Sequence, residues 1–176
     1  MREKLEGCAG AFSAKAEFTT VTQTSDLVPR SPQSSQFIKF EQSLQSRVEH
    51  ISPFADELMQ FIAPLTQSCR DDNVGLDIEI ALREALANAV IHGNRNTPHK
   101  RVRVTCSCSV DGEISITVRD EGRGFDSSAV PDPTDRNNVL QSHGRGIRLM
   151  KALMDEVSFE ENGTVVRMRK RLRGAR

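Results

Sequence analysis

The distribution of apolar residues divides the chain near position 36. Residues 1–36 carry nine Ser or Thr and two Pro, with no sustained period of 2 or 3.6. They are expected to form a disordered extension. From Phe37 the pattern becomes regular. Phe37-Ile38-Lys39-Phe40 predicts a strand, and Ser52-Pro53 offers an N-cap with proline at the first helical position. The helix predicted from Pro53 to about Gln67 puts Phe54, Leu58, Phe61, Ile62 and Leu65 on one stripe. Residues 45–51 fit a strand or a helix. After the polar cluster Arg70-Asp71-Asp72-Asn73, Leu76 to His92 runs without Gly or Pro and is rich in Ala, Leu and Glu. This is the strongest helix signal in the chain, with Gly93 expected to end it as a left-handed cap.

Val102, Val104, Cys106, Cys108 and Val110 then alternate with polar neighbours, Asp111-Gly112 turns the chain, and Ile114, Ile116 and Val118 continue the alternation. Two antiparallel strands with one buried face are predicted, with both cysteines pointing inward as small hydrophobes. An irregular stretch from Asp126 to Ser142 precedes a third amphipathic helix marked by Ile147, Met150, Leu153 and Met154. A last hairpin, Val157 to Glu160 and Thr164 to Arg171, is expected to meet at the two-residue turn Asn162-Gly163. The sum is an α+β fold, a two-layer sandwich with helices on one face of a largely antiparallel mixed sheet. The folded part would span 37–172, with a basic tail at 173–176.

Composition narrows the class. The chain has 176 residues, enough for one ordinary domain with a self-sufficient core. Lys plus Arg and Asp plus Glu both total 24, so no global field draws it onto nucleic acid or an anionic membrane. Trp and Tyr are absent, which removes the usual platforms for stacking bases. No apolar run approaches the length of a membrane span, and Met1 to Gly7 is not followed by a signal-peptide stretch. A cytoplasmic location is expected, with the cysteines at 8, 69, 106 and 108 reduced. The basic run Arg167, Arg169, Lys170, Arg171, Arg173 and Arg176 is expected to keep a sheet edge soluble.

Three segments could carry chemistry. Glu84 and Asn88 place a carboxylate and a carboxamide one helical turn apart among small residues that leave room for a ligand. Asp120-Glu121-Gly122-Arg123-Gly124-Phe125 follows a strand end, where an acidic side chain can accept from an exocyclic amine and glycines let backbone approach a planar ring. His143-Gly144-Arg145-Gly146 opens a helix whose first amides favour an anion. Each alone is a common structural feature. No GxxxxGK[ST] occurs, so the phosphate grip is not a P-loop.

In this order and these contexts, the three segments resemble the N, G1 and G2 boxes of the histidine-kinase-like (Bergerat, or GHKL) ATPase domain. Within that superfamily the chain is most similar to the bacterial anti-sigma factor serine kinases, from about Phe37 to Leu172. The resemblance implies a Bergerat-type fold that binds ATP with Mg²⁺. It assigns Asn88 to the metal that bridges the phosphates, Asp120 to adenine with help from Thr164, and Gly122, Gly124, Gly144, Arg145 and Gly146 to the nucleotide pocket. It assigns Glu84 as general base for an attacking serine hydroxyl, and residues 126–142 as a lid. Where family members place a basic residue before the G2 glycine, this chain has Ser142 and His143, leaving Arg145 or Arg136 to supply the charge. The implied partners are an anti-anti-sigma protein, phosphorylated on serine, and a sigma factor. A homodimer is in keeping with the apparent relatives. The alternative reading is a nucleotide-dependent module that sequesters a regulator without phosphoryl transfer.

Overall fold

A computed structural model describes residues 37–67, 69, 71, 73–109, 112–124 and 145–173. The expected extension, the expected lid, Gly144 and residues 174–176 lie outside them.

Five strands form one sheet: β1 (Phe37–Gln45), β2 (Arg101–Ser109), β3 (Glu113–Arg119), β4 (Glu156–Glu160) and β5 (Val165–Arg171). Their spatial order is β1-β2-β3-β5-β4, and all four pairings are antiparallel. Three helices make the second layer: α1 (Ile51–Thr66), α2 (Val74–Ala87) and α3 (Arg145–Leu153). In β2 and β3 every second residue is buried, so Val102, Val104, Cys106, Cys108, Ile114, Ile116 and Val118 form the sheet's side of the core. The helices answer with Phe54, Leu58 and Ile62 from α1, with Ile147 and Met150 from α3, and with Ile78, Ala81, Leu82, Ala85 and Leu86 from α2. The Phe40 ring meets Phe54 edge-on at 6.0 Å and Phe61 at 5.4 Å, closing the β1 end of the core. Among the described residues, no helix is long and apolar enough to cross a membrane.

Several element ends differ from the sequence expectation. β1 continues to Gln45, paired with Arg101, and a 3₁₀ turn at Val48–His50 leads into α1. The helix starts at Ile51 and not at Pro53, because Ile51 is itself core. His50 occupies the N-cap without a side-chain capping bond, so Ser52 is not the cap. Proline is still tolerated at position 53, since the first four amides of a helix have no intrahelical acceptor to lose. At the last hairpin the strands stop at the Glu160–Val165 pair, so the connection is four residues, 161–164, with Glu161, Asn162 and Gly163 all at positive φ. Asn162-Gly163 is therefore not a two-residue turn, and Thr164 precedes β5.

The basic run also sits elsewhere than expected. β5 lies between β3 and β4, so its charges do not guard an edge. Arg167 pairs with Glu160 at 2.8 Å, and Arg169 pairs with Glu156 on the neighbouring strand. Val166, Met168 and Leu172 face the core, and Lys170 shares their side of the strand. Its side chain is only 13% exposed, and its ammonium is tied to α2 and α3 as described below.

Candidate functional site

α2 is the middle helix and carries the site on its C-terminal half. Glu84 and Asn88 are half-buried and lie one turn apart. Gly146, in the first turn of α3, backs directly onto them. A β-carbon on Gly146 would lie 2.5 Å from Glu84 Oε2 and 3.4 Å from Asn88 Nδ2, so any larger residue there would displace the Glu84 carboxylate from its present place. Arg145 begins α3 and is exposed. The first turn of α3 contains no acidic residue of its own, and the acidic group beside it is the Glu84 carboxylate of α2.

From Asn88 to Gly93 the helix widens into a π turn. Such turns are rare and frequently mark functional sites. Gly93 has no positive φ, so it is not the left-handed cap expected from sequence; positive φ falls at Arg95 and Asn96. Glycine is needed at 93 for another reason: a β-carbon there would stand 2.6 Å from both carboxylate oxygens of Asp120. Gly122 meets the same carboxylate, with its missing β-carbon 2.6 Å from Asp120 Oδ1. Asp120 is thus wedged between two glycines, half-buried, at the end of β3.

Burial pushes the Asp120 carboxyl above the ordinary aspartate range, opposed by the Gly122 amide and the charge of Lys100. The Gly122 N–H donates to Asp120 Oδ1 at 2.7 Å, and the Asp120 N–H donates to the Thr164 carbonyl at 3.0 Å. Thr164 is therefore beside Asp120, but its hydroxyl donates to the Glu161 carbonyl within its own turn at 2.8 Å. Gly124 has φ +74°, and a β-carbon there would collide with the Asn162 carbonyl, bringing the loop after β3 against the β4–β5 turn.

Asn94 carries no role in the sequence reading, yet it is 1% exposed and holds the loops together. Its Nδ2 donates to the Arg101 carbonyl and its Oδ1 accepts the Glu121 N–H, both at 2.9 Å. The Arg101 N–H donates in turn to Glu121 Oε2 at 3.0 Å. The available signal was a carboxamide directly after the His92-Gly93 helix end, where a polar side chain must find partners or face solvent.

The described parts of the three sequence segments thus converge on α2: Gly146 against Glu84 and Asn88, and Asp120 and Gly122 against Gly93. Among the described residues, no group of three or more His, Cys, Asp or Glu could hold a metal by itself. Asn88 offers a carboxamide and Glu84 a carboxylate, which suits Mg²⁺ bound chiefly through a substrate's phosphates.

Comparison with known proteins identifies the family of this domain. The family model for the histidine kinase-like ATPase domain matches residues 44–170. An anti-sigma F factor of Heyndrickxia coagulans is 36% identical over 100 residues, covering 53% of this chain and 67% of that one. Its counterpart in Oceanobacillus iheyensis is 38% identical over 102 residues, covering 54% and 68%. A crystal structure of the RsbU and RsbW domains of a Mycobacterium tuberculosis protein superposes with a TM-score of 0.52 at 18% identity, over 77% of this chain and 32% of that one, and supports the fold alone.

Proposed function

The chain belongs to the histidine kinase-like ATPase domain family, and from that premise we propose that it is an ATP-dependent protein-serine kinase and anti-sigma factor. In this reading it phosphorylates a serine on an anti-anti-sigma partner and sequesters a sigma factor, acting as a dimer. The observation that carries the reading is the placing of an acceptor carboxylate and an amine-reading carboxylate at opposite ends of one helical stretch: Glu84 with Asn88 under the start of α3, and Asp120 against Gly93.

Asp120 accepts from the exocyclic amine of adenine, and Gly93 and Gly122 leave room for its carboxylate to be held in place. The first amides of α3 would receive phosphate oxygens, and Asn88 would hold Mg²⁺, whose charge offsets that of the Glu84 carboxylate beside Gly146. Bound MgATP supplies the transferable phosphoryl group and neutralises its charge. Phosphoryl transfer asks the protein chiefly for position and electrostatics. Glu84 accepts the proton of the incoming serine hydroxyl and aligns its oxygen. Arg145, at the edge of the site, provides the cation that Ser142 and His143 do not.

The test has two arms. Titration calorimetry with Mg²⁺ should show ATP binding, and its absence at millimolar nucleotide removes the reading. Incubation with radiolabelled ATP and an anti-anti-sigma protein from the same genome should label one serine. Stable binding of partner and ATP without label leaves a sequestering module only.

A further inference from the structure

We infer that Asn94 is a positioning residue for base recognition: it fixes the peptide that follows Asp120 and so aims the carboxylate that reads the nucleobase. The inference rests on the assignment of Asp120 to adenine and adds a residue that does not touch the nucleotide.

The end of the π turn, the start of β2 and the loop after β3 meet at this one residue. The Asn94 backbone N–H donates to the Ala89 carbonyl at 2.8 Å, which seats the residue at the end of the π turn. Its carboxamide then joins the first residue of β2, through the Arg101 carbonyl, to the loop after β3, through the Glu121 amide. Glu121 closes the ring by accepting the Arg101 N–H on its own carboxylate. No single apolar residue could replace this set, because an amide and a carbonyl would lose partners at a buried position.

The ring bears on Asp120 through backbone geometry. The Glu121 amide belongs to the peptide plane that begins at the Asp120 carbonyl, and the next amide along, that of Gly122, donates to Asp120 Oδ1 at 2.7 Å. Asn94 holds the first plane, and the chain after it delivers the second amide to the carboxylate. From the other side Gly93, the residue before Asn94, stands against that carboxylate. Without the carboxamide the Glu121 peptide is free to rotate, and the Gly122 N–H and the Asp120 carboxylate lose their mutual orientation. The phosphate end of the site, at Glu84, Asn88 and Gly146, makes no bond to this ring.

Base selectivity is therefore the readout. Inosine triphosphate replaces the exocyclic amine of ATP with a carbonyl oxygen and keeps the triphosphate. The wild-type protein should prefer ATP in titration calorimetry with Mg²⁺. Asn94→Ala should shrink the ratio of the two dissociation constants by about tenfold, the scale of a lost buried hydrogen-bond pair. Binding of inorganic tripolyphosphate should stay within about twofold of wild type. In an Asp120→Asn background, Asn94→Ala should add no further loss of selectivity, because its route to the base is already cut. Asn94→Ser keeps a polar group at the buried position but cannot reach both partners, and it carries the same expectation if Asn94→Ala does not fold. Wild-type selectivity in the folded Asn94 variant, or an undiminished Asn94 effect in the Asp120→Asn background, overturns the inference while leaving Asp120 in its role. A wild-type protein that binds ATP and inosine triphosphate equally removes the adenine assignment of Asp120 and the inference together.

Discussion

Lys170 Nζ lies 2.8 Å from Asp77 Oδ2 and 2.5 Å from the Leu153 carbonyl, so one ammonium clips β5 to the start of α2 and the end of α3. A lysine on the core side of an interior strand is unusual, and here its charge meets a carboxylate and a helix's C-terminal carbonyl, both favourable to a cation. Lys170→Met should cost about 2–3 kcal/mol, between the small value of an exposed pair and the larger one of a buried pair, because Asp77 is left without its partner. Urea unfolding followed by circular dichroism measures it. A loss below about 0.5 kcal/mol would mean that Asp77 and the carbonyl find water equally well.

Glu84 should separate chemistry from binding. Glu84→Ala is expected to keep ATP affinity within a few-fold and to lower phosphate transfer about a hundredfold to ten-thousandfold, the range for a general base. Transfer at wild-type rate would take Glu84 out of the mechanism and return it to the role of a half-buried helix residue beside Gly146.

Gly93→Ala puts a methyl group 2.6 Å from both carboxylate oxygens of Asp120. The carboxylate must swing away, and the Gly122 amide loses an acceptor. ATP affinity should fall by roughly tenfold to a hundredfold, with helix content unchanged because position 93 ends the helical stretch. Calorimetry on the folded variant checks this.

Asp120 couples binding to pH. Burial raises its carboxyl above the value in the unfolded chain, so the protonated form is the one the fold favours. Its contribution to stability is present at pH below the unfolded value and is lost as pH rises through the folded one. At neutral pH the ionised group is therefore a net burden. Asp120→Asn should unfold at higher denaturant than wild type at pH 7, with the gap narrowing as pH drops into the carboxylate range. The same variant should bind ATP more weakly at pH 7, since an acceptor becomes a group that also donates. A variant that is less stable at pH 7 would show that the Gly122 and Lys100 interactions outweigh burial.

How much of this was legible beforehand depended on range. The stripe Phe54, Leu58 and Ile62 and the alternation Val102, Val104, Cys106 and Cys108 are local periodicities, and both are buried as read. The order of the three segments carried the resemblance to one nucleotide pocket, and the contact of Gly146 with Glu84 and Asn88 was not itself read from it. What escaped is non-local. The place of β5 between β3 and β4 depends on which strand pairs with which, and nothing in Arg167 to Arg171 encodes that. Gly93 looked like a helix cap because its true constraint, the Asp120 carboxylate, arrives from 27 positions later. Asn94 stands out in sequence only as a carboxamide after a helix end, because its partners are the backbones of Arg101 and Glu121, which only the fold brings to it.

The thiols of Cys106 and Cys108 lie 4.0 Å apart on the core side of β2. Contact with its neighbour, together with burial, pushes the Cys106 thiol up, which keeps it out of the reactive thiolate form. No reagent in solution reaches either sulfur until the sheet parts from the helices. The pair thus serves as a clock for global opening, read by pulsed thiol labelling, while the less enclosed Cys69 marks the pace of local fluctuation. Tight nucleotide binding should slow the first clock by the factor that the ligand adds to the folded population, and so report occupancy of the site from the far side of the core.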